Sequence, residues 1–101
     1  MASYLLTNRA VEDLTSIWNY TYDFWSEELA DKYYGGLMRT CQKIADNPKV
    51  GKNYVEIDHS IFGYVYKKHI IFYTPIHSEA VKIVRILHVS MDLRNRILDD
   101  Y

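Results

Sequence analysis

Three residues in the second half of the chain, Lys52, Arg85 and His88, carry side chains from which phosphodiester chemistry can be assembled. Cleaving such a bond takes a base, an acid and cations that hold the charge developing on phosphate. Arg85 stands between Val84 and Ile86. In that apolar setting it reads first as a structural arginine paired with a carboxylate, with Glu56 and Asp92 as candidates, because a buried cation requires such a partner. His88 has two readings, a group titrating near neutral pH or a side chain that packs or caps at the end of a strand. The four histidines, His59, His69, His77 and His88, lack metal-ligand spacing and have no cysteine partners, so no zinc site is expected. Neither a glycine-rich phosphate loop nor a nucleophile elbow occurs, and no cofactor is implied.

The elements that must position these residues follow from periodicity. Ser3-Tyr4-Leu5-Leu6 is a short strand, and Thr7 is an N-cap for the helix after it. Val11, Leu14, Trp18, Tyr22 and Trp25 recur in steps of three and four, with Ala10, Ile17, Thr21 and Phe24 widening the stripe. Core packing is the expectation for Trp18 and Trp25. Ser26 is a second N-cap, followed by Glu27 and Glu28, whose charge suits a helix start. The second helix shows Ala30, Tyr33, Leu37, Cys41 and Ile44 on one face and stops at Asn47-Pro48. Gly35-Gly36 inside it implies close approach of another backbone or a local irregularity, since each glycine costs about 1 kcal/mol relative to alanine. Beyond Gly51, residues 54–58, 62–66, 69–74 and 80–89 read as strands, with Lys67-Lys68 a tight connection and Pro75 to Glu79 a longer one. In 80–89, Val81, Ile83, Arg85 and Leu87 share one face, and Lys82, Val84, Ile86 and His88 share the other. The expected fold is α+β: an N-terminal strand, then an antiparallel helix hairpin packed on an antiparallel β-sheet. One hairpin covers one sheet face, so the other should expose apolar surface to a partner.

With 101 residues the chain fits one domain over 1–101. At 49% hydrophobic and 25% charged it is ordinary globular protein, and its ten tyrosines suit half-covered or partner-facing surface. Net charge is −1, unevenly spread: residues 1–47 carry seven acids and four bases, and residues 48–98 carry eight bases and four acids. That asymmetry is too small to imply nucleic-acid binding. The single cysteine, Cys41, excludes an internal disulfide and reads as a small buried hydrophobe. No signal-peptide pattern opens the chain and no apolar run is long enough to span a membrane. A cytoplasmic, reduced protein without a membrane partner is expected.

Several blocks resemble one family in order along the chain. They are Tyr4-Leu5-Leu6-Thr7; Ala10, Asp13-Leu14, Ile17-Trp18 and Tyr20-Thr21; Trp25-Ser26-Glu27-Glu28; Asn47-Pro48 and Gly51-Lys52. The most specific are His69-Ile70-Ile71-Phe72-Tyr73 and Val84-Arg85-Ile86-Leu87-His88 with Met91-Asp92. Together these resemble the ParE branch of the RelE/ParE toxins. The resemblance implies a toxin held silent by a cognate, ParD-like antitoxin in a hetero-oligomer, with Tyr73, Arg85, His88, Met91 and Asp92 as partner-binding candidates. ParE-like members poison DNA gyrase, and RelE-like members cut messenger RNA on the ribosome. Lys52, Arg85 and His88 would be the catalytic candidates in the second case. Phe62 stands where the ParE-like pattern usually has an arginine, and Ile61 to Tyr66 holds no cation. That departure, with the near-neutral charge, favours gyrase over RNA cleavage. A member that binds its antitoxin without toxicity is the third reading.

Overall fold

The computed structural model describes residues 2–77, 79–91 and 97. Strand β1 (Ser3–Leu6) leads into helix α1 (Asn8–Phe24) and helix α2 (Glu27–Asp46). A 3₁₀ turn (Pro48–Val50) then precedes β2 (Lys52–Asn53), β3 (Phe62–Tyr66), β4 (His69–His77) and β5 (Ala80–His88). Both helix starts lie where the sequence places them: the Thr7 hydroxyl accepts the Ala10 N–H at 3.1 Å and the Ser26 hydroxyl accepts the Leu29 N–H at 3.1 Å. Helix α2 ends at Asp46, one residue before Asn47-Pro48.

The strands form one sheet in the order β1-β5-β4-β3-β2. It is mixed, where an antiparallel sheet was expected: β1 runs parallel to β5, pairing Ser3 to Leu6 with Ala80 to Ile83. Most of the chain separates these two strands, so no tight turn forces them antiparallel. The remaining pairs are antiparallel. Two strand boundaries also differ from expectation. Residues 54–58 form turns: Ile57 and Asp58 donate to the Tyr54 carbonyl, and the Asp58 carboxylate accepts the Ser60 N–H at 2.8 Å and its hydroxyl at 2.7 Å. Such an Asx turn closes a loop locally whatever the alternation of its side chains. Conversely, β4 continues through Pro75 to His77. Its β3 pairing stops at Tyr73, so Pro75 lies where one edge is free, and the β5 register shifts beside it.

The core has two parts. On one side of the sheet, Leu14 of α1 and Leu37, Cys41 and Ile44 of α2 pack against Ile71, Tyr73, Val81, Ile83 and Ile86. The other side was expected to be open, and it is not. Ile70, Phe72, Val84 and Leu87 are buried there with Ile61 and Ile97, flanked by Tyr54 and Ile57. The 54–61 loop and Ile97 cover this face in cis. The α1 stripe is narrower than its periodicity suggests. Ala10 and Leu14 are buried, but Val11, Tyr22, Phe24 and Trp25 are exposed. Trp18 is half-buried, with its Nε1–H donating to Asp31 at 2.9 Å.

A bulge divides β5. Tyr73 pairs with Ile83 and Phe72 with Arg85, leaving Val84 as the extra residue. The expected alternation therefore fails there: Val81, Ile83 and Ile86 face the helices, while Val84 and Leu87 face away.

Gly36 admits the Tyr66 ring, whose hydroxyl and ring carbons would collide with any Cβ placed there. The close approach is thus a side chain, not a backbone. At Gly35 an added Cβ meets only the flexible end of Arg39, at 3.3 Å. Urea unfolding of two variants should separate the sites. Gly35→Ala should stabilise by up to about 1 kcal/mol through helix propensity. Gly36→Ala should lose about 1–3 kcal/mol by overpacking. Equal gains at both would refute the seating of Tyr66.

Candidate functional site

The sequence candidates do not converge. Lys52 lies on β2, at the opposite edge region from β5, with its ammonium 5.1 Å from the centre of the Tyr54 ring. Three strand spacings, about 14 Å of sheet, separate those backbones. Arg85 is buried. Its Nε donates to Asp13 Oδ2 at 2.8 Å and its Nη2 to Asp13 Oδ1 at 2.9 Å, a bidentate pair. The same Oδ2 accepts the Ile86 N–H at 2.9 Å. Asp13 was not among the expected partners; Glu56 is exposed on the 54–61 loop, and Asp92 lies outside the described residues. Tyr73 is fully buried, and its hydroxyl donates to the Pro48 carbonyl at 2.6 Å and accepts the Gly51 N–H at 3.0 Å. It pins the connection between α2 and β2. Burial also raises its pKa, against the opposing Gly51 bond. Phe62 stacks on the Tyr73 ring at 5.8 Å. The Cys41 thiol is buried and pushed up to about 12, far from reactive thiolate.

His88 and Met91 do meet, on a groove of about 1030 Å³ between the helix hairpin and the ends of β4 and β5. Its walls are built by topology. The hairpin supplies Ile17, Tyr20 and Trp25 from around the α1–α2 junction and Tyr33 from α2. The β3–β4 turn supplies Lys67 and Lys68. Register places His69 opposite both Tyr66 and His88. The rings of His69 and His88 meet edge to face at 5.3 Å.

His69 Nδ1 lies 2.7 Å from the Tyr33 hydroxyl. Burial holds the His69 pKa down to about 4, the neighbouring His88 adds to this, and Asp13 opposes it. His88 Nδ1 accepts the Ser90 N–H at 3.1 Å and lies 2.7 Å from the Ser90 hydroxyl. Accepting a backbone N–H at Nδ1 leaves any neutral-form proton on Nε2. Two imidazoles and a phenol are thus brought together, with the Arg85 guanidinium already taken by Asp13. Sequence reasoning missed His69, Tyr33 and the exposure of Trp25. The two-residue Lys67-Lys68 connection was the available signal for His69, since it fixes Tyr66 opposite it. Among the described residues, no group of three or more His, Cys, Asp or Glu is placed to hold a metal. Nor, among them, is any helix long and apolar enough to cross a membrane.

The model of a family described as the ParE toxin of the type II toxin–antitoxin system parDE matches residues 4–93. The chain is 32% identical over 90 residues to Toxin ParE1 of Mycobacterium tuberculosis, covering 89% of this chain and 92% of that one. It is 33% identical over 94 residues to Toxin ParE1 of Caulobacter vibrioides, covering 93% and 96%. Toxin ParE of Escherichia coli is 29% identical over 99 residues, covering 98% and 96%. Among solved structures, a chain of the chromosomal ParDE TA system from P. aeruginosa superposes with a TM-score of 0.75 at 16% identity. That match covers 89% of this chain and 98% of the other, and it supports the fold.

Two outcomes follow from the site. Arg85→Met strands the Asp13 carboxylate and should cost about 3 kcal/mol or more. Asp13→Asn with Arg85→Met removes that charge and should be more stable than Arg85→Met alone in chemical denaturation. A double variant no better than the single one would deny the pair its role. For His69, the folded state resists a proton that the unfolded chain takes up below the ordinary pKa of 6.5. Stability should therefore be fully present above pH 6.5 and decline as pH falls toward 4. Thermal melts of His69→Gln across that interval should show a shallower decline than the parent; parallel curves would count against this assignment.

Proposed function

We propose that this chain, which belongs to the ParE toxin family of type II toxin–antitoxin systems, poisons DNA gyrase in the cytoplasm and is neutralised by a cognate antitoxin. In this reading gyrase performs the chemistry and the toxin traps it by binding. The observation that carries the reading is the separation of the candidate catalytic groups. Lys52 sits at the far side of the sheet from His88, and Arg85 is neutralised by Asp13. An RNA-cleaving centre needs its acid, base and cations within reach of one phosphate, and these three are not so placed. The adjacent His69 and His88 favour a second reading, a RelE-type ribosome-dependent endoribonuclease working from that pair.

One preparation decides between them. A binding poison should raise cleaved DNA only when gyrase and DNA are both present, and Arg85→Lys, which keeps a charge beside Asp13, should retain activity if it folds. Cleavage of messenger RNA in translating extract, with no effect on gyrase, would overturn the proposal and move His69 and His88 into catalytic roles. Silence in both assays with tight antitoxin binding would identify a family member without toxicity.

A further inference from the structure

We propose that the β2–β3 edge of the sheet, with Lys43, Lys49 and Lys52 gathered around it, contacts the phosphate backbone of the duplex DNA on which the poisoned gyrase acts. This rests on the gyrase reading and gives the toxin a second, direct contact within the complex of enzyme and cleaved DNA.

Charge segregation comes first. Residues 1–42 carry six acids and three bases, whereas residues 43–53 carry three lysines and one acid, Asp46. Folding brings these three lysines to one edge. Lys43 reaches from α2 to Tyr64 of β3, Lys49 lies on the 3₁₀ turn, and Lys52 stands on β2 opposite Gly63 of β3. All three are exposed. Among the described residues, no carboxylate forms an ion pair with any of them. Asp46 instead accepts a hydrogen bond from Gln42 at 3.0 Å. A polyanion therefore meets three ammonium groups without displacing an existing ion pair.

The second observation is how two of these ammonium groups are held. Lys43 donates to the Tyr64 hydroxyl at 2.9 Å, and the Lys52 ammonium stands 5.1 Å from the centre of the Tyr54 ring. A carboxylate in either place would hold the lysine by neutralising it. A phenol or a ring face restrains the side chain and leaves its charge for another anion. Lysines at a sheet edge also keep that edge from pairing with another chain. Such protection accounts for Lys52 but not for Lys43 or Lys49, which lie outside the strands.

The third observation separates nucleic acid from peptide. Among the described residues, no exposed large apolar side chain falls between Tyr34 and Val55 in the sequence. A peptide partner takes its affinity from apolar anchors, and the segment that carries these lysines offers none. Cations without an apolar floor suit contact with phosphates, whose affinity is electrostatic and independent of sequence. Three such contacts bind weakly alone. Joined to gyrase on the same DNA molecule, they become intramolecular and count for more.

The test pairs two measurements on the full chain. Fluorescence anisotropy of a short labelled DNA duplex, from about 50 to 200 mM salt, should show log affinity falling against log salt with a slope of about −3. That slope tests the contact without any substitution. Lys49→Gln/Lys52→Gln changes only exposed side chains. It should keep the parent's melting temperature, bind the duplex at least tenfold more weakly and bring the slope to about −1. Lys49→Arg/Lys52→Arg should bind as the parent does. In the gyrase assay the Gln variant should need at least tenfold more protein for the same cleaved DNA. Four results would overturn the proposal. They are no duplex binding at the lowest salt, which leaves edge protection as the lysines' role; duplex binding unchanged in the Gln variant; tighter binding of polyuridylate or of phosphatidylserine vesicles; and gyrase poisoning unchanged in the Gln variant. The two claims stay apart. Poisoning of gyrase by a chain that binds no duplex sinks the edge assignment alone. Duplex binding through these lysines by a chain inert toward gyrase sinks the target assignment and leaves the edge.

Discussion

The Asp13 carboxylate is the constraint on which the rest of the structure hangs. It takes both donors of a bidentate guanidinium and a backbone N–H from β5, joining the middle of α1 to residues 72 and 73 positions away. β1 pairs with β5 only as far as Ile83, so the outer edge of β5 is left open beyond it. Side chains around α1 close that edge. Thr7 donates its hydroxyl to the Val84 carbonyl at 2.9 Å, and Asp13 receives the Ile86 N–H. Backbone groups that a sixth strand would have satisfied are satisfied instead by a cap residue and a carboxylate. Replacing a buried ion pair by apolar side chains is often neutral for stability, but its geometry fixes position. Here the position fixed is that of α1, whose next turns supply Ile17 and Tyr20 to the groove.

A bulge sets the phase of β5 beside this pairing. Without the extra residue at Val84, strict alternation would keep Arg85 in phase with Val81 and Ile83 and put Ile86 on the opposite face. With it, Ile86 joins the helix-side core, and Val84 and Leu87 serve the other cluster. Both faces of the sheet are buried as a result. A chain of 101 residues has little surface to spare for a one-sided sheet. The 54–61 loop and Ile97 finish the job that a second helical layer does in larger folds.

What was legible in the sequence was what is decided locally. Thr7 and Ser26 announce helix starts because their hydroxyls serve N–H groups three residues on. Asn47-Pro48 announces an end because proline has no N–H to give. The α+β architecture follows from these signals and from the later Val, Ile and Tyr-rich runs. Tyr54-Val55-Glu56-Ile57 misled because alternation looks the same in a strand and in a loop stitched by Asp58 and Ser60. Pro75 misled because proline is tolerated at a free sheet edge, and edge position is a tertiary fact. Trp25 and Tyr22 belong to the helical stripe by spacing, yet spacing does not say how wide a stripe the sheet covers. Arg85 was legible as a structural cation, and its partner was not, since nothing local connects it to Asp13. Of the groove, His88 and Met91 were visible as residues, while their meeting with Tyr33 and His69 depends on strand register.

The parallel pairing of β1 with β5 also sets a clock on biosynthesis. The first strand leaves the ribosome early and finds its partner only when Ala80 to Ile83 emerge. At about 5–20 residues per second, β1 waits roughly 4–15 s with its edge unpaired. The groove waits longer still, because His88 and Met91 come after that pairing is complete. Nascent chains therefore carry α1 and α2 well before they carry the surface on which those helices act. Any activity that depends on this groove begins only once Met91 has been translated, and a ribosome that stops short of β5 releases a chain without it.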